Sequence, residues 1–244
     1  MHRFFIEEVI NKEDTEVIIH KSEDVNHIAK ALRVRVGEAL EICDGDSKEY
    51  TVVVKSISEV VVCHNIKAND VNRESPLSID LYQGLAKGSK MDTIIQKAVE
   101  LGVHSIVPTL MHRSIVKIDA QGEKKKTERW QKIADEAAKQ SKRSHIPMIE
   151  PVVNLSKLKD LSDYDLILVA YEKENTLKVK EAIKDIGGQK VAIFIGPEGG
   201  FEESEIELLE KLGAKSISLG SRILRTETAG VMLLSILQYA LGDV

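Results

Sequence analysis

The sequence has two cysteines, five prolines, one tryptophan and aromatics at only 4%, and each shortage bears on what the protein can be. Cys43 and Cys63 show neither CxxC spacing nor a nearby pair of histidines, so neither a disulfide framework nor a zinc site is indicated, and buried free thiols are expected. No apolar run approaches the roughly 18 to 20 residues that a membrane span requires, and Met1-His2-Arg3-Phe4-Phe5 lacks a signal-peptide pattern. A soluble, cytoplasmic protein with no metal and no membrane association is therefore expected. Two nucleotide signatures are also missing. No GxGxxG follows a strand, and no GxxxxGK[ST] phosphate cradle exists. Gly84-Leu85-Ala86-Lys87-Gly88-Ser89-Lys90 comes near the second, but its spacing is short and its Ser-Lys order is reversed. A basic surplus is absent as well: the formal net charge is -5, although basic residues gather at Lys87-Lys90, Lys124-Lys126 and Lys139-Arg143 while acidic ones crowd 202 to 210.

What is present suffices for a sizeable core. A chain of 244 residues with 43% hydrophobic content fits one large domain or a small domain plus a medium one; two are expected, at 1–72 and 73–244. The first reads as mostly strand: Phe4-Ile6, Val17-His20, Leu40-Cys43, Tyr50-Ile57 and Val60-His64 are short β-branched or aromatic runs, with Asp44-Gly45 as a turn. One helix, about Glu23 to Leu32, starts after Ser22 as cap and stops near Gly37. This pattern predicts a small β-barrel-like module. The polar run from Lys67 to Pro76 is the expected linker.

Beyond Leu77 the chain alternates. Strands are expected near 77 to 83, 103 to 107, 165 to 170, 191 to 195 and 215 to 219, with helices near 89 to 101, 123 to 141, 175 to 186, 202 to 212 and 226 to 241. Such alternation predicts an α/β domain with a largely parallel sheet covered on both faces. Val191-Ala192-Ile193-Phe194-Ile195 is continuously apolar and should be a central strand. Ser89 and Thr226 are expected to cap the helices they precede, and Gly213 to close another.

Open α/β sheets bind ligands beyond the carboxyl ends of their strands, which directs attention to two loops. Gly196-Pro197-Glu198-Gly199-Gly200 follows the central strand, and its glycines permit positive φ and close backbone approach to a ligand, though an ordinary tight turn would use the same residues. Leu219-Gly220-Ser221-Arg222-Ile223-Leu224-Arg225-Thr226-Glu227-Thr228-Ala229-Gly230 follows the last strand and runs into an apolar helix. Arg222 and Arg225 are either part of a site or plain surface cations.

These residues resemble a known family. Ile195 to Phe201 together with Leu219 to Ala229 look like the 16S ribosomal RNA uridine-N3 methyltransferase family of the SPOUT superfamily. His2-Arg3-Phe4-Phe5, Lys90-Met91-Asp92 through Gly102, Arg113-Ser114, Arg129-Trp130, and Glu136 through Arg143 match its pattern in order, so the likeness covers nearly the whole chain. The resemblance implies a PUA-like RNA-binding β-barrel domain followed by a SPOUT methyltransferase domain with a C-terminal trefoil knot. It further implies S-adenosylmethionine as cofactor, 16S ribosomal RNA or the small ribosomal subunit as partner, and a homodimer. The cofactor pocket carried over comprises Tyr171, Glu172, Gly196, Pro197, Glu198, Gly199, Gly200, Leu219, Gly220, Ile223, Leu224 and Arg225.

Methyl transfer to a uracil N3 is a single displacement and needs no covalent nucleophile. It does need the imide proton handled. Arg225 is the candidate for stabilising an N3 anion, and Glu198 is either a base or a group that holds an arginine or cofactor atom. Arg3, Lys87, Lys90, Arg113, Gln140 and Arg143 are the RNA-binding candidates, each against the alternative of an ordinary solvated side chain. Met232, Leu233, Ile236 and Leu237 form a stripe that is either a dimer face or internal core. Two other readings stay open: an RNA-binding assembly factor without turnover, and an enzyme acting on a small nucleotide.

Overall fold

A computed structural model describes residues 1–71, 73–116, 120–184 and 189–244. The chain divides into one unit of Met1–Glu74 with Lys142–His145 and a second of Ser75–Ser141 with Ile146–Val244. Asn72, at the boundary read from the sequence, lies outside the described residues.

In the first unit the strands are β1 (Arg3–Phe5), β2 (Glu16–Ile19), β3 (Ala39–Cys43), β4 (Glu49–Ile57) and β5 (Val61–Ala68), in the spatial order β1-β3-β4-β5-β2. Only β1 and β3 pair in parallel; the other neighbours are antiparallel. Irregular register between β4 and β5 at Thr51/Val53 and Val54/Ser56 supplies the local bends a curled sheet requires. The concave side buries Phe4, Ile19, Leu40, Ile42, Val52, Val54 and Val61. The Asp44-Gly45 turn has a clear cause: the Asp44 carboxylate accepts the Asp46 and Lys48 N–H groups at 3.0 and 2.9 Å. The expected helix is only partly α-helical, since α1 (Ser22–Asn26) passes into a π-helical turn at His27–Ala31. Ser22 is its first residue, not its cap; Lys21 holds the cap position and no side chain bonds there.

Residues read as a linker are largely structured. β5 runs to Ala68, and Arg73 and Glu74 join a buried ionic network. Arg3 donates to the Lys142 and Arg143 carbonyls at 2.5 and 2.8 Å, and Arg143 pairs with Glu74 at 2.5 Å. These bonds bring Lys142–His145 into the first unit although they lie far along the chain.

The second unit contains β6 (Ser78–Gly84), α2 (Lys90–Glu100), β7 (Ser105–Leu110), α3 (Ala120–Ser141), β8 (Met148–Ile149), β9 (Val153–Asn154), β10 (Leu166–Ala170), α4 (Val179–Ala182), β11 (Lys190–Ile195), α5 (Glu203–Lys211), β12 (Lys215–Ile217) and α6 (Thr226–Leu241). Every strand pair is parallel, in the order β12-β10-β11-β6-β7-β8 with β9 also on β7. Val191 through Ile195 are at most 1% exposed, and because successive strand residues face opposite sides, both faces of β11 are covered. Ala192 and Phe194 pack with Phe201, Ile206 and Leu209 from the α5 side, while α6 lies against β11 with Gly230 near Ile195.

The helix expected over 175 to 186 is confined to Val179–Ala182, and 185 and 186 lie outside the described residues. Glu174 explains the late start. Its carboxylate accepts the Thr176 and Leu177 N–H groups at 2.6 and 3.1 Å, a local bonding pattern that competes with a helix. Gly213 closes α5 with φ +94, as the sequence implies. Ser89 precedes α2, but its hydroxyl makes no capping bond.

Candidate functional site

Three adjacent strands, β10, β11 and β12, end together, and the loops that leave them enclose a cleft of about 520 Å³. Tyr171, Glu172 and Asn175 come from the first loop, Gly196 through Phe201 from the second, and Ser218 through Arg225 from the third. All twelve residues carried over as cofactor pocket line this one cleft. Tyr171 N–H donates to the Ile217 carbonyl at 3.1 Å, and Ser218 N–H to the Leu177 carbonyl at 2.8 Å, so the first and third loops are stitched together. Gly200 and Gly220 have φ of +70 and +108, the left-handed region in which a Cβ is unfavourable. A Cβ at Gly220 would meet no atom within 4 Å, so that stretch of backbone borders open volume. At Gly199 the obstacle is different: a Cβ there would sit 2.8 Å from that of Arg113.

Glu198 is committed to the protein. Its Oε1 accepts the Lys87 N–H at 3.0 Å and the Lys90 ammonium at 2.9 Å. Partial burial pushes its carboxyl up, but these donors outweigh it and hold the group below the usual glutamate range. A carboxylate held anionic in this way is a weak proton acceptor. Arg225 contrasts with it. Its backbone caps α6, its carbonyl accepting the Thr228 and Ala229 N–H groups at 2.9 Å, while its exposed guanidinium makes no hydrogen bond or ion pair among the described residues. Arg222 is exposed and unpaired in the same sense, and Ile223 between them is 89% exposed.

Thr226 is another residue that the sequence reading misplaced. It is the first residue of α6, not its cap, and its buried hydroxyl donates to the Gly196 carbonyl at 2.7 Å and accepts from Gln83 Nε2 at 2.9 Å. Asn175 and Ser218 also line the cleft without having been singled out. Neither carries a local motif that would have marked it.

The six RNA candidates scatter. Arg113 flanks the glycine loop, donating to Glu202 at 2.8 Å and to the Gly199 carbonyl at 3.1 Å. Lys87 and Gln140 are exposed, and Lys90 is paired with Glu198. Arg3 and Arg143, each 6% exposed, point into the first unit against Glu41, Glu49 and Glu74, which leaves their guanidinium groups no open face for a phosphate. Both thiols are buried and free, and burial pushes Cys43 up to about 12 and Cys63 up to about 11, so neither ionises at neutral pH. Among the described residues no cluster of acidic, His or Cys side chains could hold a metal, and no helix is long and apolar enough to cross a membrane.

The RNA methyltransferase domain model matches residues 73–238, and the RNA methyltransferase PUA domain model matches residues 21–61. Over 98% of its length the chain is 38% identical to ribosomal RNA small subunit methyltransferase E of Bacillus subtilis, covering 96% of that protein. The chain belongs to the ribosomal RNA small subunit methyltransferase E family. A second member, from Aquifex aeolicus, is 34% identical over 97% of this chain and 99% of its own. The crystal structure of the Neisseria gonorrhoeae member bound to S-adenosyl methionine superposes with TM-score 0.86 at 31% identity, covering 100% of this chain and 99% of that one. A Legionella pneumophila methyltransferase in complex with the same cofactor gives TM-score 0.81 at 34% identity, with 99% and 98% covered. As a member of the methyltransferase E family the protein is an RNA methyltransferase, with a SPOUT-type parallel-sheet domain preceded by a curled PUA-like sheet.

Proposed function

We propose that this protein transfers a methyl group from S-adenosylmethionine to N3 of a uridine in 16S ribosomal RNA of the small subunit, in the cytoplasm. The observation that carries the reading is the cleft at the ends of β10, β11 and β12, with left-handed Gly200 and Gly220 in its walls and an unpaired Arg225 at its edge. The residues suit the cofactor: glycine backbone lets a nucleoside approach closely, and Tyr171, Leu219, Ile223 and Leu224 supply apolar surface. When bound, the cofactor supplies an activated methyl on sulfur. The protein then has to orient uracil and manage its imide proton.

Arg225 is assigned to stabilising negative charge on N3, because its guanidinium has no other partner among the described residues and cannot serve as a base. Glu198 is assigned to holding the loop: its carboxylate is shared between Lys87 and Lys90. Arg113, Lys87 and Gln140 remain the RNA-facing candidates, with Lys90 beside the cleft. We read Arg3 and Arg143 as structural, on the strength of their buried ion pairs. The imide lies on the pairing edge of uracil, so the target base is unpaired or flipped out before transfer.

The loops after β10, β11 and β12 are proposed to form the trefoil knot that the family resemblance implies. The homodimer reading is supported by the outer side of α6. Leu233 and Leu237 are fully buried core, but Met232 and Ile236 are half-buried and Tyr239 is 77% exposed. Sedimentation showing only a 27.1 kDa species at micromolar concentration would remove the dimer. The function is tested by incubating small subunits from a strain lacking this protein with enzyme and cofactor, then digesting the RNA for nucleoside mass spectrometry. Appearance of 3-methyluridine supports the reading, whereas methylation on carbon or ribose would overturn the N3 assignment.

A further inference from the structure

The carboxyl ends of β6 and β11 and the start of α6 meet at Gln83, Gly196 and Thr226, and the methyl-transfer scheme has given no role to Gln83 or Thr226. Gln83, completely buried near the end of β6, donates through Nε2 to the Gly84 carbonyl at 3.1 Å and to Thr226 Oγ1 at 2.9 Å. A carbonyl oxygen only accepts, so the Gly84 contact fixes which end of the amide faces this way. Thr226 Oγ1 in turn lies 2.7 Å from the Gly196 carbonyl, which must receive the single hydroxyl proton. The chain of bonds therefore has one direction, from Gln83 to Thr226 to Gly196. It is reinforced by close backbone packing, because a Cβ at Gly84 would run into the Pro197 nitrogen.

Two details argue that these polar groups do more than fill space. Gln83 Oε1 is buried and has no partner among the described residues, a cost that an apolar side chain of similar size would avoid. The peptide joining Gly196 to Pro197 has no N–H, so its plane is held through its carbonyl, and Thr226 holds it immediately after Arg225.

We infer that Gln83 and Thr226 are positioning residues, forming a directional hydrogen-bond clamp that fixes the Gly196 carbonyl and so sets the glycine loop and Arg225 in the geometry that receives S-adenosylmethionine. The inference rests on the cofactor reading above. Gln83→Glu tests the direction. A carboxylate can only accept, so it takes the Thr226 proton and strands the Gly196 carbonyl; once protonated, it donates again and restores the chain. Burial raises the pKa of such a carboxyl, bringing the change into an accessible range.

The test is calorimetric affinity for S-adenosylmethionine on the full chain from about pH 5.5 to about pH 8.5, with hydrogen exchange of residues 196–201 on the unliganded protein. Wild type should bind with little pH dependence. Gln83→Glu should bind about 10-fold more weakly at the alkaline end and recover toward wild type at the acid end, the size of one lost buried hydrogen bond. Thr226→Val should be weak by about 10-fold throughout, with loop exchange faster by a similar factor, while Thr226→Ser stays within about 2-fold of wild type. PH-independent binding by Gln83→Glu equal to wild type, or Thr226→Ser as weak as Thr226→Val, would overturn the clamp. If wild type itself binds no cofactor, the cofactor reading fails, and the exchange data still decide whether the clamp orders the loop: unchanged exchange in Thr226→Val sinks it.

Discussion

Replacing Arg225 by Ala removes a guanidinium that makes no hydrogen bond or ion pair with the described residues, which separates its chemical role from its structural one. The backbone of Arg225 still caps α6 in the variant, since that cap uses its carbonyl and not its side chain. The folding cost should therefore stay within about 0.5 kcal/mol, as for other exposed side chains without partners. In a chain of this size that is a fall in Tm of about 2 °C or less. Catalysis should suffer far more. Losing one preorganised electrostatic donor costs about 3 kcal/mol in the transition state, so kcat should fall by about 100-fold or more. Binding of cofactor and RNA should change much less, because the charge on uracil develops only on the way to transfer. Arg225→Lys should recover little, a mobile ammonium being a poor substitute for a planar fork. Raising the pH should partly rescue Arg225→Ala by ionising more of the substrate imide. Single-turnover methylation with cofactor and RNA saturating, followed across a pH series, measures all of this. Near-normal rates, or a defect that vanishes at high RNA concentration, would refute the reasoning and make Arg225 a binding residue.

Gly200→Ala should lower both stability and cofactor affinity. Its φ of +70 costs a Cβ-bearing residue about 1–2 kcal/mol, or roughly 2–8 °C in Tm, and the new carbon would lie 2.6 Å from the exposed Glu172 carboxylate. An unchanged melt with unchanged calorimetric affinity would contradict the loop geometry. Glu74→Gln should cost about 3 kcal/mol at neutral pH by removing the carboxylate charge that faces the buried Arg143 guanidinium, measured by urea denaturation. Burial alone would raise the Glu74 carboxyl, but Arg143 and the His145 and Ser144 N–H groups hold it low. Its stabilisation is therefore full at neutral pH and is lost as pH falls through the lowered folded value, so wild type should weaken on acidification more steeply than the variant. Equal acid sensitivity of the two proteins would remove Glu74 from that role. Neither thiol should react with iodoacetamide at about pH 8 in folded protein, given values of about 12 and 11 set first by burial; labelling as fast as in denatured chain would contradict their burial.

Much of the sheet was legible because its signal is local and redundant. Val191 to Ile195 could only be a strand covered on both faces, and the glycine loop that follows it had to lie at the sheet's carboxyl edge. Two of the three loops that line the cleft, those after β11 and β12, were legible for the same reason, each following a strand and preceding a helix. Most of what escaped was decided by distant partners, the short α4 being a local exception. Arg3 and Arg143 carry the usual marks of exposed cations, yet Glu49 and Glu74, 46 and 69 residues away in sequence, draw them inward. Thr226 looked like a helix cap until β6 supplied Gln83, 143 residues earlier, and turned its hydroxyl toward Gly196. The short α4 was lost to Glu174, whose carboxylate takes the N–H groups an earlier helical turn would have used.

The order of pairing in the two sheets has a consequence for the time at which this protein can come into being during synthesis. β6 has to wait for β11, more than a hundred residues later, before its open side is covered, and β10 gains its second neighbour only when β12 arrives. Arg3 finds its last acceptors only once Lys142 and Arg143, far along the chain, have emerged. A nascent chain therefore carries an unpaired parallel edge while more than a hundred further residues are made, and an incompletely neutralised ionic core until Arg143 appears, the kind of intermediate that non-local pairing makes slow to resolve and prone to association. The cleft, built from the loops after β10, β11 and β12, does not exist until the chain has been made through Arg225.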